Sequence, residues 1–392
     1  MEKFSYKFAA LLLAFSVGVA IAGIFYFRAK TEPAEQPEII VRENTKQNFN
    51  SAETLEMMFV LDTTGSMGGL LDGAKQRIWG IINEVMQKKS HPQVRVGLVA
   101  YRDKTDEYVT KVTPLTEDLD KVYSTLMDYE AAGGGDTPED VRSALAEAVK
   151  NGGWSQSKQG VAQIIFLVGD APPQNYENVP DVLATTSKAV RQNMIVNTIQ
   201  CGDAIDTKEI WQQIAQYGEG KYFAIAQDGG VQTIGSPYDA RLAELGSKIG
   251  QTYVAYGANS NTKAEMQVVT ESKMANTSTN SARADRALNK AINTEAYSDD
   301  LLQDIENGRT KLENVKNEDL PVDLRNMSES ERGAEVEKRL AERKKIREEI
   351  LNLSKQRDEF ITAERKKSGK QTGFDAAVAE ALNEQLSRRG IK

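Results

Sequence analysis

The sequence FVLDTTGSMGG, residues 59–69, decides how the rest of this chain is interpreted. Phe59–Leu61 ends an apolar run that is too short for a helix, so it predicts a buried strand. The acid Asp62 follows the strand, and hydroxyl residues stand at every second position after it, Thr64 and Ser66. Two interpretations follow. These side chains cap the next helix, or they form the cluster of hard oxygens that Mg²⁺ prefers.

Two later loops favour the metal interpretation. Residues 133–140 read GGGDTPED, where the glycines permit unusual backbone geometry and Pro138 suits a first helical position with Thr137 as its cap. The same geometry would also present the Thr137 hydroxyl to a neighbouring metal. A second buried strand ends in Asp170. If its strand neighbours the strand before Asp62, the two carboxylates lie side by side and need a cation or a shared proton.

Strand-like and helix-like segments alternate from Thr54 to about Tyr256, which predicts an α/β fold with a doubly wound, mostly parallel, six-stranded sheet. Two strand-like runs are consecutive and predict one antiparallel edge pair. The strands are expected at Leu55–Leu61, Val94–Tyr101, Tyr108–Val112, Ala162–Val168, Met194–Ile199 and Tyr222–Ile225. The helices are expected at Leu70–Gln87, Glu117–Tyr129, Glu139–Lys150, Val182–Gln192, Lys208–Tyr217 and Tyr238–Ile249.

The three loops together resemble the metal-ion-dependent adhesion site (MIDAS) of the von Willebrand factor type A (vWA) family, over about half of the chain. Gly-Gly-Asp-Thr-Pro-Glu-Asp and Gly-Asp-Ala-Pro-Pro are similar to the loops of a bacterial subgroup of that family. The resemblance implies a Rossmann-like sheet and a protein-binding function.

The resemblance also implies a site that holds Mg²⁺ or Mn²⁺, with an open coordination position filled by an acidic side chain of a partner. Many family members carry serine at the position of Thr64. A partner-binding rim is expected at Arg102, Asp103 and Asp136. The metal ligands implied by motif position are the hydroxyls of Thr64, Ser66 and Thr137 and the acids Asp62 and Asp170.

Composition excludes several other functions. The net charge of −8 and the absence of a strongly basic domain argue against nucleic-acid binding. One cysteine, Cys201, and one histidine, His91, make an intrachain disulfide impossible and a zinc site of nitrogen and sulfur ligands improbable. The Asp62 motif also resembles that of aspartate-based phosphatases, but Thr64 stands where those enzymes usually carry a second acid. We therefore expect no enzymatic activity.

The N-terminus predicts export. Residues 8–27 are uncharged over 20 positions, enough for a helix to cross a bilayer, and Lys3 and Lys7 before them favour a cytoplasmic N-terminus. A retained signal anchor is expected, with the vWA domain periplasmic or extracellular. The alternative is a cleaved signal peptide, because Ala20–Ala22 has the small-x-small pattern, and the protein would then be secreted.

The remaining segments complete the predicted organisation. Residues 257–327 are expected to be a polar linker with some helix, and residues 328–392 a charged helical or coiled-coil tail that folds back on a neighbour or dimerises. If the tail does the binding and the metal is structural, the protein is a scaffold or assembly factor. The predicted domains are residues 1–30 (anchor), 31–53 (extended linker), 54–256 (vWA domain), 257–327 (linker) and 328–392 (tail).

Overall fold

A computed structural model describes residues 54–88, 91–135, 139–156, 160–231, 233–294, 299–368 and 373–389. The predicted membrane anchor at residues 8–27 and the predicted linker at residues 31–53 lie outside these ranges. Within them, no helix is both long enough and apolar enough to cross a membrane.

A six-stranded sheet in the order β3-β2-β1-β4-β5-β6 forms the centre of the fold. β1 runs parallel to both β2 and β4, and β3 is antiparallel to β2 at one edge. The predicted mixed, mostly parallel sheet with one antiparallel edge pair is therefore confirmed. The strands are β1 (Thr54–Asp62), β2 (Gln93–Tyr101), β3 (Thr110–Thr116), β4 (Val161–Gly169), β5 (Met194–Cys201) and β6 (Glu219–Ile225).

Helices cover both faces of the sheet, because the side chains of each central strand alternate between two buried cores. Phe59 and Leu61 of β1 belong to one core, and Met58 and Val60 to the other. The helices within and just after the sheet are α1 (Gly68–Met86), α2 (Leu119–Met127), α3 (Val141–Asn151), α4 (Val182–Arg191), α5 (Ile205–Tyr217) and α6 (Asp239–Gln251). Those that follow are α7 (Ser260–Thr277), α8 (Asn280–Ile292), α9 (Leu301–Glu306), α10 (Val322–Arg325), α11 (Glu329–Ser368) and α12 (Phe374–Arg388).

Residues 257–327, expected as a polar linker with some helix, contribute helices that pack on the domain. Ala284 and Ala287 of α8 are buried against Leu242 of α6. The Cβ of Ala287 lies so close to Gly246 that a Cβ built on that glycine would be 2.8 Å away. A helix interface made of alanine and glycine needs few large apolar residues, and the low count of such residues is what suggested a linker.

The tail also packs on this unit. Ile346 and Ile350 of α11 join the core of α6 and α8, and Arg343 and Arg357 of the same helix form buried ion pairs with that region. The last helix, α12, inserts Phe374 into the first core of the sheet, with its ring centroid 6.1 Å from that of Phe59. α11 is thus folded back on its neighbours.

Candidate metal centre

The acids Asp62 and Asp170 meet at the carboxyl end of the sheet. Asp62 is the last residue of β1, and Asp170 directly follows β4. These strands are hydrogen-bonded neighbours with Leu61 opposite Val168, so both acids leave the sheet at the same edge. A cleft of about 560 Å³ opens there and is lined by Thr64, Ser66 and Asp170, among others. The structure therefore brings four of the five predicted ligands together.

Asp62 is fully buried beneath the cleft, and only one of its two carboxylate oxygens has a hydrogen-bond partner among the described residues. Its Oδ1 accepts hydrogen bonds from the Thr64 amide at 2.8 Å and the Thr64 hydroxyl at 2.7 Å. Its Oδ2 has no hydrogen-bond partner among the described residues. Burial raises the pKa of Asp62 to about 7, although the two bonds from Thr64 lower it. A buried carboxylate oxygen without a donor is the arrangement that a cation would complete.

Ser66 and Asp170 extend the oxygen cluster into the cleft. The Ser66 Oγ lies 3.3 Å from the Thr64 Oγ1. The Asp170 carboxylate accepts a hydrogen bond of 2.6 Å from the amide of Gln227, and the Asp170 backbone carbonyl accepts one of 3.0 Å from Thr207. Gln227 thus orients Asp170, a role that its isolated position after β6 did not indicate in the sequence.

The glycine loop reaches the same edge. The Gly65 amide donates to the Gly133 carbonyl at 3.3 Å. Gly134 has a φ of +75°, and a Cβ on it would lie 2.9 Å from the Cβ of Thr64, so only glycine fits between the two loops. The next residues of interest, Asp136 and Thr137, lie outside the described residues, and the predicted roles of both stay predictions.

Glu139 is a site residue that the sequence argument missed. Its side chain lines the cleft and is 3% exposed, and its Oε2 has no hydrogen-bond partner in the described part of the chain. Burial, followed by the neighbouring charge of Asp62, raises the pKa of Glu139 to about 8. The sequence pattern placed Glu139 in the first turn of a helix capped by Thr137. The helix instead begins at Val141, with Asp140 as the N-cap that accepts from the Ser143 amide at 2.9 Å.

The expected rim residues Arg102 and Asp103 are buried, and their role in partner binding stays a prediction. Arg102 is 5% exposed and donates to the backbone carbonyls of Thr63 at 3.1 Å and Glu130 at 2.7 Å. Asp103 is 2% exposed and accepts from the Tyr176 hydroxyl. Buried charged groups are stable only when they are hydrogen-bonded or paired. Through these hydrogen bonds, both side chains hold the loops around the cleft in place.

The donor set fits a metal held by carboxylate and hydroxyl oxygens together. Among the residues that the structure describes, no group of three or more His, Cys, Asp and Glu side chains is arranged to hold an ion by itself. Asp62 and Asp170 could supply two acids to a metal, and Thr64 and Ser66 could supply two hydroxyl oxygens. Such a set of hard oxygens suits Mg²⁺ or Mn²⁺ and does not suit zinc.

Comparisons with known proteins identify a family model and several similar proteins. Residues 56–236 match the model of the von Willebrand factor A domain family. An ariadne-like RING finger protein of Acanthamoeba polyphaga mimivirus is 26% identical over 166 residues. That match covers 41% of this chain and 16% of the viral protein, so the chain spans a small part of that relative.

Two solved structures are also similar. Proximal thread matrix protein 1 from the mussel byssus matches with a TM-score of 0.33 and 13% identity, over 45% of this chain and 43% of that chain. The SpRpn10 VWA domain matches with a TM-score of 0.34 and 14% identity, over 44% of this chain and 88% of that chain.

The match at residues 56–236 supports a von Willebrand factor A domain over the sheet and the helices around it. Domains of this class commonly mediate protein–protein interactions. The cleft at the carboxyl edge of the sheet is the place where the described residues could serve such a function, because it gathers the oxygen donors of the first and third predicted loops.

Proposed function

We propose that this chain binds a protein partner through a divalent metal, Mg²⁺ or Mn²⁺, held by Asp62, Thr64, Ser66, Thr137 and Asp170. The observation that carries the proposal is the buried Oδ2 of Asp62, which lacks a hydrogen-bond partner among the described residues and sits beside the Thr64 and Ser66 hydroxyls. Leaving such an oxygen uncompensated is costly, and a cation removes the cost.

The metal, when bound, supplies an electrophilic position that a carboxylate of the partner can fill. The chain's own residues hold the two acids in position: Asp62 accepts two hydrogen bonds from Thr64, and Asp170 accepts one from Gln227. Mg²⁺ loses its waters reluctantly, so the site should select well-placed acidic side chains.

A titration of the full chain with Mg²⁺ after chelator treatment tests the metal site. We expect Ser66→Ala to weaken the Kd for Mg²⁺ by roughly tenfold, since one donor oxygen is lost. Ser272→Ala is the matched control, because Ser272 is exposed on α7 and lies outside the cleft. Equal Mg²⁺ affinities for wild type and Ser66→Ala would refute the assignment of this cluster as the metal site.

The proposal includes a membrane location. Residues 8–27 would anchor the chain, with the N-terminus cytoplasmic and the vWA domain periplasmic or extracellular; the alternative is a secreted form after cleavage. Cell fractionation followed by N-terminal mass determination separates the two. Recovery of the intact chain from the soluble cytosolic fraction would contradict both.

We also propose that the chain is not an enzyme. The phosphatase alternative requires Asp62 to attack phosphorus, but this side chain is fully buried and one of its oxygens is engaged by Thr64. A generic phosphate ester should therefore show no turnover above background. Turnover that disappears in Asp62→Asn would establish the alternative.

A second candidate function, a scaffold that assembles through its tail, is favoured by a groove of about 750 Å³ between α8 and α11. Leu351, 44% exposed, lines it. Lys355 and Glu359 also line it, and neither forms an ion pair with another described residue. An antiparallel second copy of α11 would place Lys355 opposite Glu359. Sedimentation measures the oligomeric state. Lys355→Glu should dissociate the dimer, and adding Glu359→Lys should restore it. A wild-type chain that is monomeric at all concentrations would exclude this scaffold.

A further inference from the structure

We infer that the cleft takes a partner segment in which the metal-binding acidic side chain is accompanied by a Lys or Arg within a few residues. This inference rests on the proposed function. Its basis is the charge of the cleft. Four carboxylates line it, those of Glu139, Asp170, Asp203 and Asp206, and Asp62 lies buried at its floor. No Lys or Arg is among the described residues that line the cleft.

One divalent cation does not neutralise this surface. It supplies two positive charges, against three negative charges from Asp170, Asp203 and Asp206 and those of Asp62 and Glu139 when these two acids are ionised, so a purely acidic ligand would approach a surface that repels it. Glu139 adds a buried carboxyl group that a cation would stabilise in its ionised form. Its side chain is 3% exposed, and its Oε2 has no hydrogen-bond partner in the described part of the chain. A cationic side chain of the partner can offset this charge without competing for the metal position.

The outer lip of the cleft shows where the basic side chain would bind. Asp203 and Asp206 flank the start of α5, are both exposed, and make no ion pair with any other described residue. Between them, Ile205 is 74% exposed. The exposed isoleucine offers apolar contact to the aliphatic stem of Lys or Arg, and the two acids, which make no ion pair within the described ranges, offer carboxylates to its charged end.

A purely structural explanation of these acids exists and makes a different prediction. Acidic residues near the first turn stabilise the helix macrodipole, and Asp206 is in the first turn of α5. If that is their whole role, neutralising Asp203 and Asp206 changes thermal stability and leaves ligand selection unchanged. The fold around the lip does not depend on their charge, because asparagine can still accept the Thr207 amide bond that Asp206 accepts.

Selection from a random twelve-residue peptide library on the immobilised full chain tests the inference. Selection is run in Mg²⁺ and in chelator, so that metal-dependent peptides are identified by the difference. The variant is Asp203→Asn/Asp206→Asn. The matched control is Glu209→Gln/Glu313→Gln, which removes the same charge from exposed positions outside the cleft.

We expect metal-dependent peptides from the wild type and the control to pair Asp or Glu with Lys or Arg within three residues. The Asp203→Asn/Asp206→Asn variant should keep the acid, lose the basic enrichment, bind a wild-type peptide roughly fivefold to tenfold more weakly, and retain its Kd for Mg²⁺. Acidic peptides without basic residues, or basic enrichment that persists on the variant, would overturn the inference alone. The absence of any metal-dependent peptide would overturn the proposed function, and the inference with it.

Discussion

Replacing Asp62 with asparagine should make the metal-free protein more stable, which is the opposite of what most substitutions of a fully buried residue do. Asp62 is completely buried, and its pKa lies at about 7 instead of 3.8 because burial disfavours the carboxylate. Keeping this side chain charged at pH 8 therefore costs the folded, metal-free state about 4 kcal/mol. Asparagine carries no charge, and its side-chain oxygen can still accept both hydrogen bonds from Thr64.

The pH dependence follows from the direction of this shift. Below pH 3.8 the acid is protonated in both the folded and the unfolded chain and contributes nothing. As the pH rises, the unfolded chain loses the proton first, so the contribution of Asp62 to stability falls until the pH passes about 7. The advantage of Asp62→Asn should thus be small at pH 4 and reach its full value, up to about 4 kcal/mol, at pH 8.

Mg²⁺ should reduce this advantage. A ligand that binds only the folded state at about a hundred times its Kd adds about 2.7 kcal/mol to the wild type. The variant, which lacks the acid, should gain much less. Urea unfolding at pH 8, in chelator and in Mg²⁺, measures the four free energies of unfolding, with Asp72→Asn as an exposed control. A variant that is less stable than the wild type in chelator would show that the buried charge of Asp62 does not destabilise the metal-free fold, and one that gains as much from Mg²⁺ would show that Asp62 does not bind the ion.

Two further predictions concern the helices that pack on the domain. Arg357 is 4% exposed and bonds Asp239 and Asp285 at 2.6 Å each, so Arg357→Met should cost about 3–5 kcal/mol by removing the nearest cation from two buried carboxylates. Arg77, which lies 3.9 Å from Asp285, and Ser236, which donates to Asp239, compensate only part of that loss. Adding Asp239→Asn and Asp285→Asn should recover most of that loss; failure to recover it would show that packing dominates. Phe374→Ala should cost about 3–5 kcal/mol in urea unfolding, because its ring is 2% exposed in the sheet core, and a loss below about 1 kcal/mol would mean that α12 is not part of the cooperative unit.

The sheet could be predicted from the sequence because its central strands are apolar on both faces. β1 and β4 are buried along almost their whole length, and their sequences read as short continuous apolar runs. The edge strand β3 was expected at Tyr108–Val112 but spans Thr110–Thr116. It is mostly half-buried and contains Pro114, which an edge strand tolerates, so its pattern was weaker.

The candidate metal-site residues could be predicted from the sequence only where they directly follow a strand. Asp62 and Asp170 follow β1 and β4, and strand adjacency brings them together. Glu139 reaches the cleft by another route: its backbone amide donates to the Pro172 carbonyl at 3.2 Å, and its carbonyl accepts from Gln174 at 2.8 Å. These contacts join two loops that are distant in sequence, and no local pattern indicates such pairing.

In the part of the chain that the structure describes, buried charged side chains have ion-pair partners in the helices that follow the sheet, but not in the cleft. In the helices, buried cations meet carboxylates: Arg286 bonds Asp120, and Lys290 bonds Glu271. In the cleft, the buried carboxylates Asp62 and Glu139 meet no Lys or Arg among the described residues and keep an unbonded oxygen. A chain that pairs its buried charges elsewhere would lose stability by leaving these two uncompensated. The raised pKa values of Asp62 and Glu139 allow a proton to neutralise each acid, and a cation from outside the chain, such as the proposed divalent metal, would neutralise them in the ionised form.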